Sequence, residues 1–196
     1  MFRALLIRHA EHALQDQALV GRTPGISLTT RGRERARVLA RMLRNENIVL
    51  VQSSPRERCC ETAGEMCLSL GLSCTIEDAL DEIDFGAWSG VRFAALENDP
   101  EWRSWNGKRS LARPPNGESM HEAQQRIVRH IEEMARRVAG TVVMVTHAEI
   151  IRAALLHERN LPLEAWGSIV IPPGSVTELG DLRDTYALTG VRDAAA

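Results

Sequence analysis

Five side chains in this sequence have the types and positions to act on an anion. Arg8 and His9 stand together after the apolar run Ala4-Leu5-Leu6-Ile7. Arg58 lies just inside a helix signalled by Ser54-Pro55-Arg56-Glu57, Glu82 lies in an acidic loop, and His147 follows the apolar run that begins at Thr141. Arginine forks match phosphate oxygens in bidentate fashion. A helix starting at Pro55 adds the positive end of its dipole. Cations close to a histidine depress its pKa and keep the ring neutral, so one imidazole can attack phosphorus while the other donates a hydrogen bond. A phosphate dianion pushes a nearby carboxyl toward its protonated form, which would let Glu82 act as acid to a leaving oxygen. Such a set calls for no metal and no cofactor, because the arginines and the second histidine balance the charge on a transferring phosphoryl group.

Each residue also has a plainer reading. Arg8 and His9 can be polar residues where a strand leaves the core. Glu82 can be one solvated carboxylate among Glu77, Asp78, Asp81 and Asp84, and His147 a satisfied histidine at a strand end. Placement separates the readings.

Short aliphatic runs predict strands at Arg3 to Arg8, Ile48 to Gln52, Leu72 to Ile76 and Thr141 to Thr146. Helices alternate with them. One opens at Leu28-Thr29-Thr30 with Ala36, Leu39, Ala40 and Leu43 on its apolar face. A second starts with Ser54 as cap and Glu57 closing a capping box. A third opens on the box Ser119 to Glu122, carries Met120, Ala123, Ile127, Ile131, Met134 and Val138 on one face, and ends at Gly140. A fourth spans about Glu149 to Glu158. Two β-rich runs, Ser168 to Ile171 and Val176 to Leu179, close the pattern, the last as an antiparallel edge strand. The alternation predicts an α/β fold: a three-layer α/β/α sandwich around a mostly parallel sheet. Ligands of such sheets bind at the carboxyl ends of the strands. Parallel strands would bring His9, Arg58, Glu82 and His147 out on that one edge.

The whole chain sets further bounds. Its 196 residues fit one domain, 1–196, with a short lid or insertion at about 91–117. A net charge of -2 gives no electrostatic ground for nucleic acid or membrane as partner. No apolar run reaches transmembrane length, and Arg8 cuts the N-terminal run short of a signal peptide, so the expected location is cytoplasmic. Cys59, Cys60, Cys67 and Cys74 match no zinc or redox spacing; Cys59, Ala63, Met66, Cys67 and Leu70 instead mark a buried helix face. Arg31, Arg33, Arg35 and Arg37 scatter around their helix among acidic residues and read as a solvated face. His12 is placed at a pocket mouth, and His121, His130 and His157 on helix surfaces. In the insertion, Arg92, Arg103, Lys108, Arg109 and Arg113 are candidate anion contacts and Trp102 and Trp105 candidate walls; a packed, solvated lid is the competing reading. The sequence leaves the oligomeric state open, a homodimer among the options.

The residues resemble a known family. Leu6-Ile7-Arg8-His9-Ala10-Glu11 is similar to the signature of the histidine phosphatase superfamily, the phosphoglycerate mutase-like fold. In order along the chain, Leu28-Thr29 with Gly32, Ser53 to Arg58 with Glu61-Thr62-Ala63, Leu80 to Gly90, Gly117-Glu118-Ser119 and Val143 to His147 resemble its further motifs. The resemblance runs from Leu5 to about Leu179. It implies that His9 becomes phosphorylated, that Arg8, Arg58 and His147 form the phosphate pocket, and that Glu82 protonates the leaving oxygen and then activates water. Gln15, where many members carry asparagine, and Gly21 are candidate phosphate contacts. Ala10 and Ala148 stand where glycine is usual. The expected activity is hydrolysis of small phosphomonoesters, on the phosphatase branch. The alternatives are mutase-type phosphoryl transfer and a non-catalytic phosphate-binding protein.

Overall fold

A computed structural model of the chain describes residues 1–179. The end of the expected domain, residues 180–196, lies outside the described residues.

The frame is a five-stranded sheet. Strands β1 (Phe2–Arg8), β3 (Ile48–Ser53), β4 (Cys74–Ile76), β6 (Gly140–Thr146) and β7 (Val176–Leu179) lie in the order β4-β3-β6-β1-β7. The first four run parallel, and β7 pairs with β1 antiparallel at one edge. A separate ribbon pairs β2 (Ala18–Leu19) with β5 (Val91–Arg92). Alternation along β1 sends Leu5 and Ile7 to one face and Ala4 and Leu6 to the other. Helices α1 (Thr30–Met42) and α2 (Glu57–Leu70) cover the first face through Leu39, Ala40, Ala63 and Met66. Helices α3 (Phe93–Leu96) and α4 (Pro100–Gly107) follow β5, and helices α5 (Met120–Arg137) and α6 (Ala148–Glu158) cover the second face through Ile127, Ile131, Ile150 and Ile151. The three-layer α/β/α sandwich therefore forms as the alternation predicts.

Local signals explain most element ends. Thr29 accepts from the Gly32 amide at 2.9 Å and caps α1. Gly32 itself is required by proximity: a Cβ there would lie 2.2 Å from the Glu11 carbonyl oxygen, so the helix start can press against the loop that follows His9. Ser119 and Glu122 complete their capping box.

Four expectations are corrected. Ser54 is not the N-cap of α2: the helix starts at Glu57 with Arg56 as an N-cap that makes no side-chain capping bond, the Ser54 hydroxyl meets the Arg56 amide at 3.3 Å and His147 at 2.8 Å, and Glu57 closes no box. Gly140 does not end α5, which stops at Arg137; it opens β6 at a φ of 130°. The run Ser168 to Ile171 makes no strand: a 3-10 turn over Leu163–Ser168 precedes it, and its carbonyls are taken by arginines. His130 is buried rather than on the surface, with Nε2 at 2.9 Å from Gln52 Oε1.

Candidate active site

The parallel strands deliver their chemistry to one edge. β1 ends in Arg8, and the His9 amide continues the ladder by donating to the Thr146 carbonyl at 2.9 Å. β3 ends at Ser53, and the Ser54 amide likewise donates to Val145 at 2.9 Å before α2 presents Arg58 in its first turn. β4 leads into the acidic loop that carries Glu82, and β6 delivers His147 at the cap of α6. All five residues meet. Arg8, His9, Arg58 and Glu82 line one pocket of about 240 Å³, and His147 lies beneath it, fully buried.

His9 and His147 stand with ring centroids 5.3 Å apart. Nδ1 of His9 lies 2.9 Å from the Ala10 carbonyl oxygen. A carbonyl only accepts, so this contact places the proton on Nδ1 and leaves the Nε2 lone pair bare. Burial, then Arg58 and Arg8, hold the His9 pKa well below its ordinary value, so the ring is neutral. His147 takes the opposite tautomer. Its Nδ1 is 3.0 Å from Arg58 Nη2, a group that only donates, so Nδ1 accepts and the proton sits on Nε2. That Nε2–H meets Ser54 Oγ at 2.8 Å, and Ser54 in turn donates to Asp81 Oδ1 at 3.2 Å. Burial and Arg58 also depress the His147 pKa well below the ordinary value.

Arg58 is 1 % exposed. One amino group is spent on the Gly21 carbonyl at 2.8 Å and on His147; Nε and Nη1 have no partner. Arg8 gives Nη1 to the Ile171 carbonyl at 2.6 Å, and its buried Nε is likewise without one. Buried donors left unpaired cost free energy unless a ligand accepts from them.

Glu82 is held by its loop. Arg22 donates to its carbonyl at 2.7 Å, Asp81 accepts from its amide at 2.8 Å, and its own Oε1 takes the Ile83 amide at 3.0 Å. Arg126 of α5 holds the Ala79 and Asp81 carbonyls from the other side. Oε2 sits 3.7 Å from His147 Nδ1. Burial raises the Glu82 pKa to about 7 against the opposing pull of Arg58. Gly86 makes the loop possible: at φ 51° it packs so closely that a Cβ would lie 2.0 Å from the Pro115 carbonyl oxygen.

The remaining candidates divide. Gln15 lines the pocket with Oε1 unpaired, while Gly21 turns its carbonyl to Arg58. Ala10 and Ala148 are not among the described residues of positive φ, so their methyls meet no backbone strain. From the insertion, Phe93 reaches the pocket. Arg109 does not: it is buried between the Trp105 ring (4.5 Å) and the Trp166 ring (3.9 Å) and pairs with Glu149 at 3.0 Å. Arg113 pairs with Glu122 instead. The sequence reading missed Arg152 and Glu149, which line the pocket from α6 and pair at 2.6 Å. Their signal was available, since they follow His147 within the first turns of its helix. It also missed Ser54 as partner of His147. Among the described residues no metal-ligating cluster forms.

Residues 4–194 match the model of the histidine phosphatase superfamily, branch 1. The chain belongs to that superfamily. Among relatives of this histidine phosphatase, phosphoserine phosphatase 1 of Hydrogenobacter thermophilus is 34% identical over 159 residues, covering 78% of this chain and 74% of the relative. The bifunctional protein Rv2228c of Mycobacterium tuberculosis is also 34% identical, over 86% of this chain, but the match spans only 46% of that longer protein. A solved α-ribazole phosphatase from Shigella flexneri superposes with a TM-score of 0.81 at 25% identity, covering 96% of this chain and 95% of its own.

Proposed function

We propose that this histidine phosphatase hydrolyses small phosphomonoesters in two steps through a phosphohistidine on His9. The observation that carries the reading is the set of buried, unpaired guanidinium nitrogens, Arg8 Nε with Arg58 Nε and Nη1, beside a neutral His9. A phosphoryl group supplies the acceptor oxygens these donors lack. In the first step Nε2 of His9 attacks phosphorus, the ester P–O bond breaks, and Glu82 gives its proton to the leaving alcohol. In the second, the Glu82 carboxylate takes a proton from water, whose oxygen attacks phosphorus and breaks the P–N bond. Arg8 and Arg58 hold the phosphoryl oxygens as negative charge builds, and His147, whose Nδ1 accepts from Arg58, fixes that guanidinium in place.

The pocket volume of about 240 Å³ falls below that of sites for drug-sized ligands and favours a compact alcohol. Phosphoserine, the substrate that the name of the Hydrogenobacter relative indicates, belongs in the first screen with sugar phosphates and phosphoglycerates. Four free thiols support a cytoplasmic location, and among the described residues no helix is long and apolar enough to cross a membrane.

Rapid quench of a labelled phosphomonoester tests the scheme. Acid-labile, base-stable phosphate should appear on the wild-type protein and be absent from H9A, and vanadate should inhibit by mimicking five-coordinate phosphorus. Turnover that survives in H9A, with no labelled protein, rules the scheme out.

A further inference from the structure

His12 has no task in the two-step scheme, yet it is placed among the groups that have one. It is 4 % exposed and lines the same pocket as Arg8, His9 and Arg58. Its ring centroid is 5.3 Å from that of His9, the same separation as between His9 and His147. The turn that presents it is fixed by a bridge to Leu28 and by the Gln15 amide, which donates to the His12 carbonyl at 3.0 Å. The ring is not there to satisfy a neighbour: Nδ1 is buried and has no hydrogen-bond partner.

A buried imidazole nitrogen without a partner is costly, and it asks for a ligand atom. The surrounding groups say which kind. Arg58 and Arg8 are the charges that act most strongly on His12, and with burial they lower its pKa to about 4. The ring is therefore neutral and carries one N–H. Both guanidiniums only donate, and both keep unpaired nitrogens of their own. An acceptor-only phosphoryl oxygen satisfies the arginines and selects the tautomer with its proton on Nδ1.

We propose that His12 is a further catalytic residue, donating a hydrogen bond from Nδ1 to an oxygen of the phosphoryl group held by Arg8 and Arg58. The assignment rests on the reading of this pocket as a phosphatase site. His12 shares the charge on the equatorial oxygens as the ester bond breaks and the bond to His9 forms. It transfers no proton, and Glu82 keeps that role.

The test compares H12A and H12N with wild type in hydrolysis of p-nitrophenyl phosphate and in competitive inhibition by inorganic phosphate. The asparagine amide nitrogen comes near the position of imidazole Nδ1 and keeps a donor there. H12A should lose about 10- to 100-fold in kcat/KM, the worth of one hydrogen bond to a charged group, and should bind phosphate more weakly. H12N should recover most of both. H12A within twofold of wild type in both measurements overturns the proposal. So do equal losses in H12A and H12N with unchanged phosphate inhibition, which mark a structural role. Nitrogen-15 NMR of the wild-type protein covers a variant that fails to fold: the His12 Nδ1–H signal should move when phosphate is added, and a signal that stays in place overturns the proposal. A wild type without any turnover overturns the phosphatase reading instead, and the phosphate titration then decides on His12 alone.

Discussion

At the residue scale the site is a problem of keeping protons where they are needed. His9 and His147 are neutral for the same reasons, burial and Arg58, yet they hold opposite tautomers because one faces a carbonyl and the other a guanidinium. Glu82 shares the same surroundings, but burial acts on it in the other direction and leaves it half protonated near pH 7. The acid form is the one that protonates a leaving alcohol. Phosphorylation of the free enzyme should therefore fall as pH rises through about 7. E82Q removes the transferable proton without removing bulk. Its loss should be large with an alkyl phosphate, roughly 100- to 10,000-fold in kcat/KM, and small with p-nitrophenyl phosphate, whose leaving group departs without help. Equal losses on the two substrates would show that Glu82 does not serve as the acid.

At the element scale the most informative residue is Ser54, whose sequence context pointed to a helix cap. Ser-Pro-x-Glu is a strong helix start, and α2 does begin there, but the hydroxyl is turned to His147 and the helix begins uncapped at Arg56. Ser119, in a similar local signal, does cap its helix. The difference is tertiary: no buried side chain competes for the Ser119 hydroxyl, which is engaged within its own first turn by Glu122. Paired substitutions separate the two roles. S119A should cost about 1 kcal/mol of stability and leave turnover unchanged. S54A should leave helix content unchanged and lower kcat/KM about tenfold or more, because His147 loses the acceptor that fixes its tautomer. Thermal melts and steady-state kinetics on both proteins read these outcomes. The same contrast explains what the sequence made legible. Strands, the order of helices and the convergence of Arg8, His9, Arg58, Glu82 and His147 follow from hydrophobic period and parallel topology, which are local signals plus one rule of sheet geometry. Arg109 and Arg152 did not follow. Arg109 is clasped between Trp105, four residues back, and Trp166, and Arg152 pairs with Glu149 and bonds the Ile169 carbonyl; the near neighbours lie within local reach, but no local pattern encodes the contacts with Trp166 and Ile169.

At the scale of the whole molecule, this active site sets the pH response of the fold. His9, His12, His130 and His147 are all buried with depressed pKa values, so the folded chain leaves them unprotonated where the unfolded chain, near 6.5, takes protons up. The unfolded state then binds more protons, and stability falls as pH drops below about 6.5. A histidine that stays unprotonated across the interval contributes a slope of up to about 1.4 kcal/mol per pH unit. Glu82 opposes them over the same interval, since its folded pKa of about 7 lies above the unfolded value and it binds a proton in the native state first. Four uptakes against one leave a net loss on acidification. The depressed carboxylates Asp99, Glu122 and Glu164 take no part until lower pH. Urea unfolding between pH 7.5 and 5.5 should therefore show stability declining by several kcal/mol, a large share of a typical total. H130Q isolates one contribution outside the pocket: His130 touches Gln52 and lies against the sheet, away from His9. That variant should flatten the slope while leaving hydrolysis intact. Stability that holds level or rises on acidification would mean the buried histidines are already charged, and with that the neutral nucleophile on which the chemistry depends would be lost as well.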